Sequence, residues 1–143
     1  MHVAAVLKRK GTDIVSVGSD EPIAAVARTL AERRIGAALV VEGGRPVGIL
    51  SERDIVRGVA QQGSAVLQQP ASTLMTRELV TCQPTDTMAQ MMALMSERRI
   101  RHLPVMDGDR LVGLISIGDV VKARLDDAEL EVESLRGYVA GIG

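Results

Sequence analysis

Among its 143 residues the chain has no phenylalanine, no tryptophan, a single tyrosine, Tyr138, and a single cysteine, Cys82. With one such aromatic side chain, near its end, it lacks the series of stacking platforms on which single-strand nucleic-acid binders seat bases. Any planar ligand has to be sandwiched by aliphatic groups. One cysteine excludes an intramolecular disulfide and any multi-cysteine zinc site, and two histidines far apart in sequence make metal chemistry a poor expectation. Charge of one sign is also missing: 17 basic residues stand against 18 acidic ones, so no whole-chain field attracts a polyanion or an anionic membrane. No apolar run approaches the roughly 20 residues of a membrane span. Lys8, Arg9 and Lys10 follow a short apolar stretch, the reverse of a secretory signal. A cytoplasmic protein is expected. Also absent are Gly-x-Ser-x-Gly, a phosphate-loop Gly-x-x-x-x-Gly-Lys and His-Glu-x-x-His. No nucleophile with its base is visible, and no catalysis is expected.

What is present is a repeat. A shift of 65 residues aligns Val15–Arg57 with Val80–Lys122 without a gap, and 14 of the 43 aligned positions are identical. The shared blocks are Glu32-Arg33-Arg34-Ile35 with Glu97-Arg98-Arg99-Ile100, Val47-Gly48 with Val112-Gly113, and Ser51-x-x-Asp54 with Ser116-x-x-Asp119. Apolar spacing repeats as well. Ile23, Val26, Ala27 and Leu30 fall at i, i+3, i+4 and i+7, and Met88, Met91, Met92 and Met95 occupy the same register. Because the counterpart of the methionine stripe is plainly aliphatic, the stripe reads as core and not as a metal or peptide surface. Cys82 aligns with Val17 on a short strand and reads as a buried small hydrophobe. His2 is assigned no role.

Each half reads as strand, helix, two strands and helix. In the first half these lie near Ile14–Val17, Pro22–Arg34, Ala37–Val41, Arg45–Leu50 and Glu52–Gln61, with Glu42-Gly43-Gly44 and Asp107-Gly108-Asp109 supplying hairpin turns. Neither half is large enough to close a core comfortably alone. The expected fold class is therefore α+β, with two intertwined β-α-β-β-α repeats packed sheet against sheet about a pseudo-twofold axis. The expected organisation is an N-terminal helical segment (1–12), repeat one (13–62), a linker (63–75), repeat two (76–125) and an amphipathic C-terminal helix (126–143) carrying Leu130, Leu135 and Tyr138.

The chemically informative stretch is Gly48-Ile49-Leu50-Ser51-Glu52-Arg53-Asp54, echoed by Gly113-Leu114-Ile115-Ser116-Ile117-Gly118-Asp119. Each sets a serine where a strand ends and a helix begins, a junction whose free N–H groups and dipole suit a phosphate. Three residues on, an aspartate can face the same mouth and accept hydrogen bonds from ribose hydroxyls. The same spacing also fits a capping box, in which the acid returns to a backbone N–H. On the motif alone both readings stand. The glycines allow close approach of a ligand or serve the strand itself. Arg33, Arg34, Arg98 and Arg99 end helices, where cations suit the dipole, and read as structural.

The duplicated Gly-[Ile/Leu]-[Leu/Ile]-Ser-x-x-Asp, together with Arg99-Ile100-Arg101-His102-Leu103-Pro104-Val105 before a strand, resembles the cystathionine-β-synthase-type (CBS) domain pair, or Bateman module, over Asp13 to about Leu125. The resemblance implies a regulatory module, free-standing and bacterial in type, with two clefts between its repeats for AMP, ADP, ATP, NAD(H) or S-adenosylmethionine. It implies phosphate and ribose contacts from Ser51, Asp54, Ser116 and Asp119. An adenine lining would come from Ile14, Val15, Val80, Gly36, Ala37, Ala38, Leu103 and Pro104. Basic groups at the phosphate would be Arg101 and His102 in one half, where the other half has Gly36 and Ala37. Arg53 would serve the first half, where the second has Gly118. His102 alternatively is satisfied by backbone. The resemblance further implies a homodimer of modules and a possible effector protein. Against the sensor stands a structural alternative, an oligomerisation scaffold or a trans-acting regulatory subunit whose Ser-x-x-Asp only caps a helix.

Overall fold

The computed structural model describes residues 1–11 and 13–142, with side chains to residue 137. Its elements run α1 (Val3–Lys10), β1 (Ser16–Gly18), α2 (Ile23–Arg33), β2 (Ala37–Glu42), β3 (Arg45–Ser51), α3 (Glu52–Gln62), two single 3-10 turns at Ser64–Gln68 and Ala71–Thr73, α4 (Met88–Arg98), β4 (His102–Asp107), β5 (Arg110–Ser116) and α5 (Ile117–Ile142). The α+β class and the repeated helix, hairpin and helix are those read from the sequence. The chain divides into two compact units, Asp13–Leu79 and Met1–Thr12 with Val80–Gly143. The segment ahead of the first repeat thus belongs to the unit of the second.

In the first unit β1 pairs parallel with β2, and β2 pairs antiparallel with β3. Gly43 and Gly44 turn the β2–β3 hairpin with φ of 55° and 79°, the left-handed pair that a tight two-residue turn demands. One face of this sheet carries Ala38, Val40 and Leu50 into a core shared with Ile23, Val26 and Leu30 of α2, the strand period of two meeting the helix stripe. Val66 and Ala71 of the connecting turns close it from below. The linker is therefore packed structure and not a tether.

The second unit repeats this plan with Met88, Met91 and Met95 of α4 buried against Leu103, Val105 and Ile115. The methionine stripe is core. Its sheet has only β4 and β5, because the first strand shrinks to one bridge, Cys82 with Val105. The physical reason is two prolines. In the first unit the Leu39 amide donates to Val15 O at 3.1 Å and the Ser19 amide to Val41 O at 3.3 Å. The residues at the matching places are Pro104 and Pro84, which have no N–H to give. Cys82 is buried within this core.

Gly48 of β3 and Gly113 of β5 each receive a side chain from the segment that precedes the other repeat. A Cβ on Gly48 would lie 2.7 Å from Met75 Sδ and 2.9 Å from the Thr76 carbonyl oxygen, and one on Gly113 would lie 2.6 Å from Leu7 Cδ2. The sequence left open whether these glycines serve a ligand or the strand. They make room for chain packing. The second helix of repeat two and the C-terminal segment, expected as separate pieces, form one continuous α5 of 26 residues, since nothing between Asp119 and Gly137 breaks a helix. The side chain of Tyr138 lies outside the described residues.

Candidate functional site

Each unit builds the same junction where its last strand hands over to a helix. Ser51 ends β3 in extended conformation, φ −105° and ψ 162°, and caps α3. Asp54 N donates to Ser51 Oγ at 3.2 Å, while Ser51 N donates to Asp54 Oδ2 at 3.0 Å. The Ser51 hydroxyl also reaches Asp54 Oδ2, at 2.9 Å. In the second unit Ser116 N donates to Asp119 Oδ2 at 2.9 Å and Asp119 N donates to Ser116 Oγ at 3.2 Å. The capping box is therefore real in both halves. It uses only Oδ2 of each carboxylate. The backbone hydrogen bonds of each box end on Oδ2 and leave Oδ1 out, and both aspartates are half-buried.

The segments that begin β2 and β4 lie beside this junction. Glu52 N donates to Gly36 O at 2.9 Å, and Ile117 N donates to Arg101 O at 2.8 Å, so residues 65 positions apart tether the two helix starts. Ala37 lies opposite Ser51 and Ala38 opposite Leu50, while His102 lies opposite Ser116 and Leu103 opposite Ile115. Ala38 and Leu103 turn their side chains into the cores of their units. Ala37, Pro104 and half-buried His102 sit on other positions of the same strands. Ile14 and Val15 lead into β1, half-buried. Val15 O is taken by the Leu39 amide, whereas Val80 O accepts no such bond because Pro104 stands opposite. Arg53 and Arg101 are exposed, as is Gly118 in the first turn of α5. Arg34 and Arg99 take left-handed φ of 54° and 56° as helix C-caps, which gives these arginines the terminating role read for them.

Sequence reading missed Lys10. Its Nζ donates to Asp119 Oδ2 at 2.6 Å and to Leu114 O at 2.9 Å. In the first unit the matching carbonyl, Ile49 O, is taken at 2.8 Å by the backbone N–H of Thr76, and Met75 stands 65 positions after Lys10. The same edge of the hairpin is thus closed by backbone in one half and by a cation in the other. Burial alone would raise the Asp119 carboxyl pKa, but the hydrogen bond and charge of Lys10 and the hydrogen bonds from Ser116 outweigh it, and the group is held below the ordinary aspartate value. The only signal in the sequence was the basic run Lys8-Arg9-Lys10, and no spacing rule connects it to a residue more than a hundred positions away. Cys82 differs: burial first, and then the charge of Asp86, push its thiol up to about 12.

Among the described residues no cluster of three or more His, Cys, Asp or Glu could hold a metal, and no helix is long and apolar enough to cross a membrane. The pattern of the CBS domain family matches twice, at residues 4–61 and 71–126. A CBS-domain containing protein from Agrobacterium tumefaciens has a similar structure, with a TM-score of 0.85 and 49% identity over 87% of this chain and 99% of that one. A CBS domain protein from Pyrobaculum aerophilum, solved in complex with AMP, gives a TM-score of 0.73 and 32% identity over 83% of this chain and 89% of that one. A mitochondrial CBS domain-containing protein of Arabidopsis thaliana is 32% identical over 128 residues, which are 86% of this chain and 62% of that relative. With its two strand, serine, helix and aspartate junctions each falling inside one of the two matched stretches, the chain belongs to the CBS domain family.

Proposed function

We propose that the chain is a regulatory module without chemistry of its own, which binds an adenine nucleotide, AMP, ADP, ATP or NAD(H), at its two serine–aspartate junctions. The observation that carries this reading is the carboxylate of Asp54 and of Asp119 fixed through Oδ2 beside a serine at a helix start, repeated at a constant offset. A carboxylate fixed through one oxygen is oriented in advance to accept ribose hydroxyls at the other, and a helix N-terminus favours the phosphate. The AMP complex of the relative from Pyrobaculum aerophilum agrees in ligand class.

The halves differ in chemistry. The second offers Lys10, Arg101 and His102 for phosphate and the carbonyl of Val80 for an adenine amine; the first offers Arg53, and its Val15 carbonyl is already used. The second half is therefore the tighter seat for phosphate. A bound nucleotide regulates by favouring one arrangement of the module, or of an effector protein docked on it, over another. Two copies pair as a homodimer, and the single buried thiol suits a reducing, cytoplasmic setting.

Titration calorimetry with AMP, ADP, ATP, NAD and NADH tests the reading. Two unequal sites are expected, and no heat at millimolar ligand would sink it. The capping boxes favour one rival, a scaffold in which Ser-x-x-Asp only caps. That rival allows no ligand-dependent shift in melting temperature.

A further inference from the structure

Five of the six exposed large apolar side chains among the described residues lie on α5. Val121, Leu125, Ala128, Val132 and Leu135 follow one another by steps of four, three, four and three, the a/d alternation of a heptad repeat. In sequence, Val139 and Ile142 continue the same steps. The face that α5 turns to its own unit is a different one. Val120 and Ala123 are buried there, and Asp126 and Asp127 bind Arg9 at 3.0 Å and the amino terminus at 3.3 Å. At about 100° per residue the two stripes lie on roughly opposite sides of the helix, and Leu130 continues the inward one. The seam therefore has no partner within its own unit: Leu125 is 61% and Leu135 65% exposed.

We propose that this seam is the surface through which two copies of the chain join, as a parallel, in-register, two-stranded coiled coil of α5. Charge on both sides of the seam selects that occupant. With Leu125 and Val132 at a and Ala128 and Leu135 at d, Arg124 and Glu131 occupy g, and Glu129 and Arg136 occupy e. In a parallel pair each g residue meets the e residue five positions on in the other helix. Arg124 then faces Glu129 of the second copy, and Glu131 faces Arg136 of the second copy, both attractive. Val132 at a with Leu135 at d is the combination that favours two strands. Helix nucleation is costly, but α5 starts from a capped, packed first turn in its own unit, so the helix is nucleated before the copies meet.

The inference rests on the reading of the chain as a pair of copies, and the test separates the two. Sedimentation equilibrium of the full chain is expected to give a dimer that Leu125→Glu and Val132→Glu each convert to a monomer that circular dichroism and a cooperative melt show to be folded. Leu130→Glu, on the other side, stays dimeric. Arg124→Glu weakens the dimer, and Arg124→Glu with Glu129→Arg restores it. In a Cys82→Ser background, oxidation links copies through Ala128→Cys and not through Leu130→Cys. A monomeric parent chain overturns both readings; a dimer that survives Val132→Glu, or that links through Leu130→Cys, overturns the seam and leaves the pairing.

Discussion

Lys10 Nζ lies 2.6 Å from Asp119 Oδ2, a contact between the last residue of α1 and the first turn of α5 that the first repeat does not reproduce. It ties the N-terminal helix to the proposed nucleotide seat and sets a cation at its mouth. Lys10→Met is expected to cost about 0.5–1 kcal/mol of stability near neutral pH, since the pair is partly exposed. The same change is expected to weaken nucleotide binding in the second half by about two- to fivefold, more for ATP than for AMP. Calorimetry of parent and variant measures this, and equal affinity would remove Lys10 from the site.

The sign of the pH dependence follows from Asp119. Its folded-state value is depressed, so its contribution is present above the unfolded value of about 4 and lost as pH falls through the folded value. The stability gap between the parent chain and Lys10→Met is therefore expected to hold near neutral pH and close in acid. Chemical denaturation across that range checks it, and a gap that widened in acid would contradict the pairing.

Asp54 separates capping from binding. Asp54→Ala loses the cap and is expected to lower stability by about 0.5–2 kcal/mol with or without nucleotide. It is also expected to abolish the nucleotide-dependent rise in melting temperature that comes from the first half. Thermal melts with and without AMP read both effects. A lost cap with an unchanged ligand shift would make Asp54 a structural residue only.

Gly48 and Gly113 align but are not equally strict. A methyl group on Gly48 meets the Thr76 carbonyl, which is backbone, whereas one on Gly113 meets only the tip of Leu7. Gly48→Ala is expected to cost about 2–3 kcal/mol and Gly113→Ala about 1 kcal/mol, measured by denaturant unfolding. Equal costs would mean that Leu7 cannot move aside.

Arg34 and Arg99 hold left-handed backbone without being glycine. Arg34→Gly relieves that strain and is expected to stabilise the first unit by about 0.5–1 kcal/mol. A fall in melting temperature would show that the arginine side chain contributes more than the backbone loses.

The repeat made most of this fold legible. Hydrophobic spacing located α2 and α4, glycine and aspartate marked both hairpins, and the constant offset carried each element of one half onto the other. Three features escaped that logic because they depend on contacts between residues distant in sequence or on one atom. The missing first strand of the second sheet follows from the absent N–H groups of Pro104 and Pro84. The packing roles of Gly48 and Gly113 follow from segments that precede the opposite repeat. Lys10 reaches Asp119 across 109 positions. At the site itself the sequence supplied the serines, the aspartates and the strands beside them, but could not say which oxygen of each aspartate takes the cap.

The most direct measurement is titration calorimetry of the parent chain with AMP, repeated on the double variant Asp54→Ala with Asp119→Ala after circular dichroism confirms that it is folded. Nucleotide binding at the two junctions requires saturable heat from two unequal sites in the parent and none in the folded double variant. Unchanged AMP binding by the folded double variant, or no binding by the parent at millimolar AMP, would contradict it.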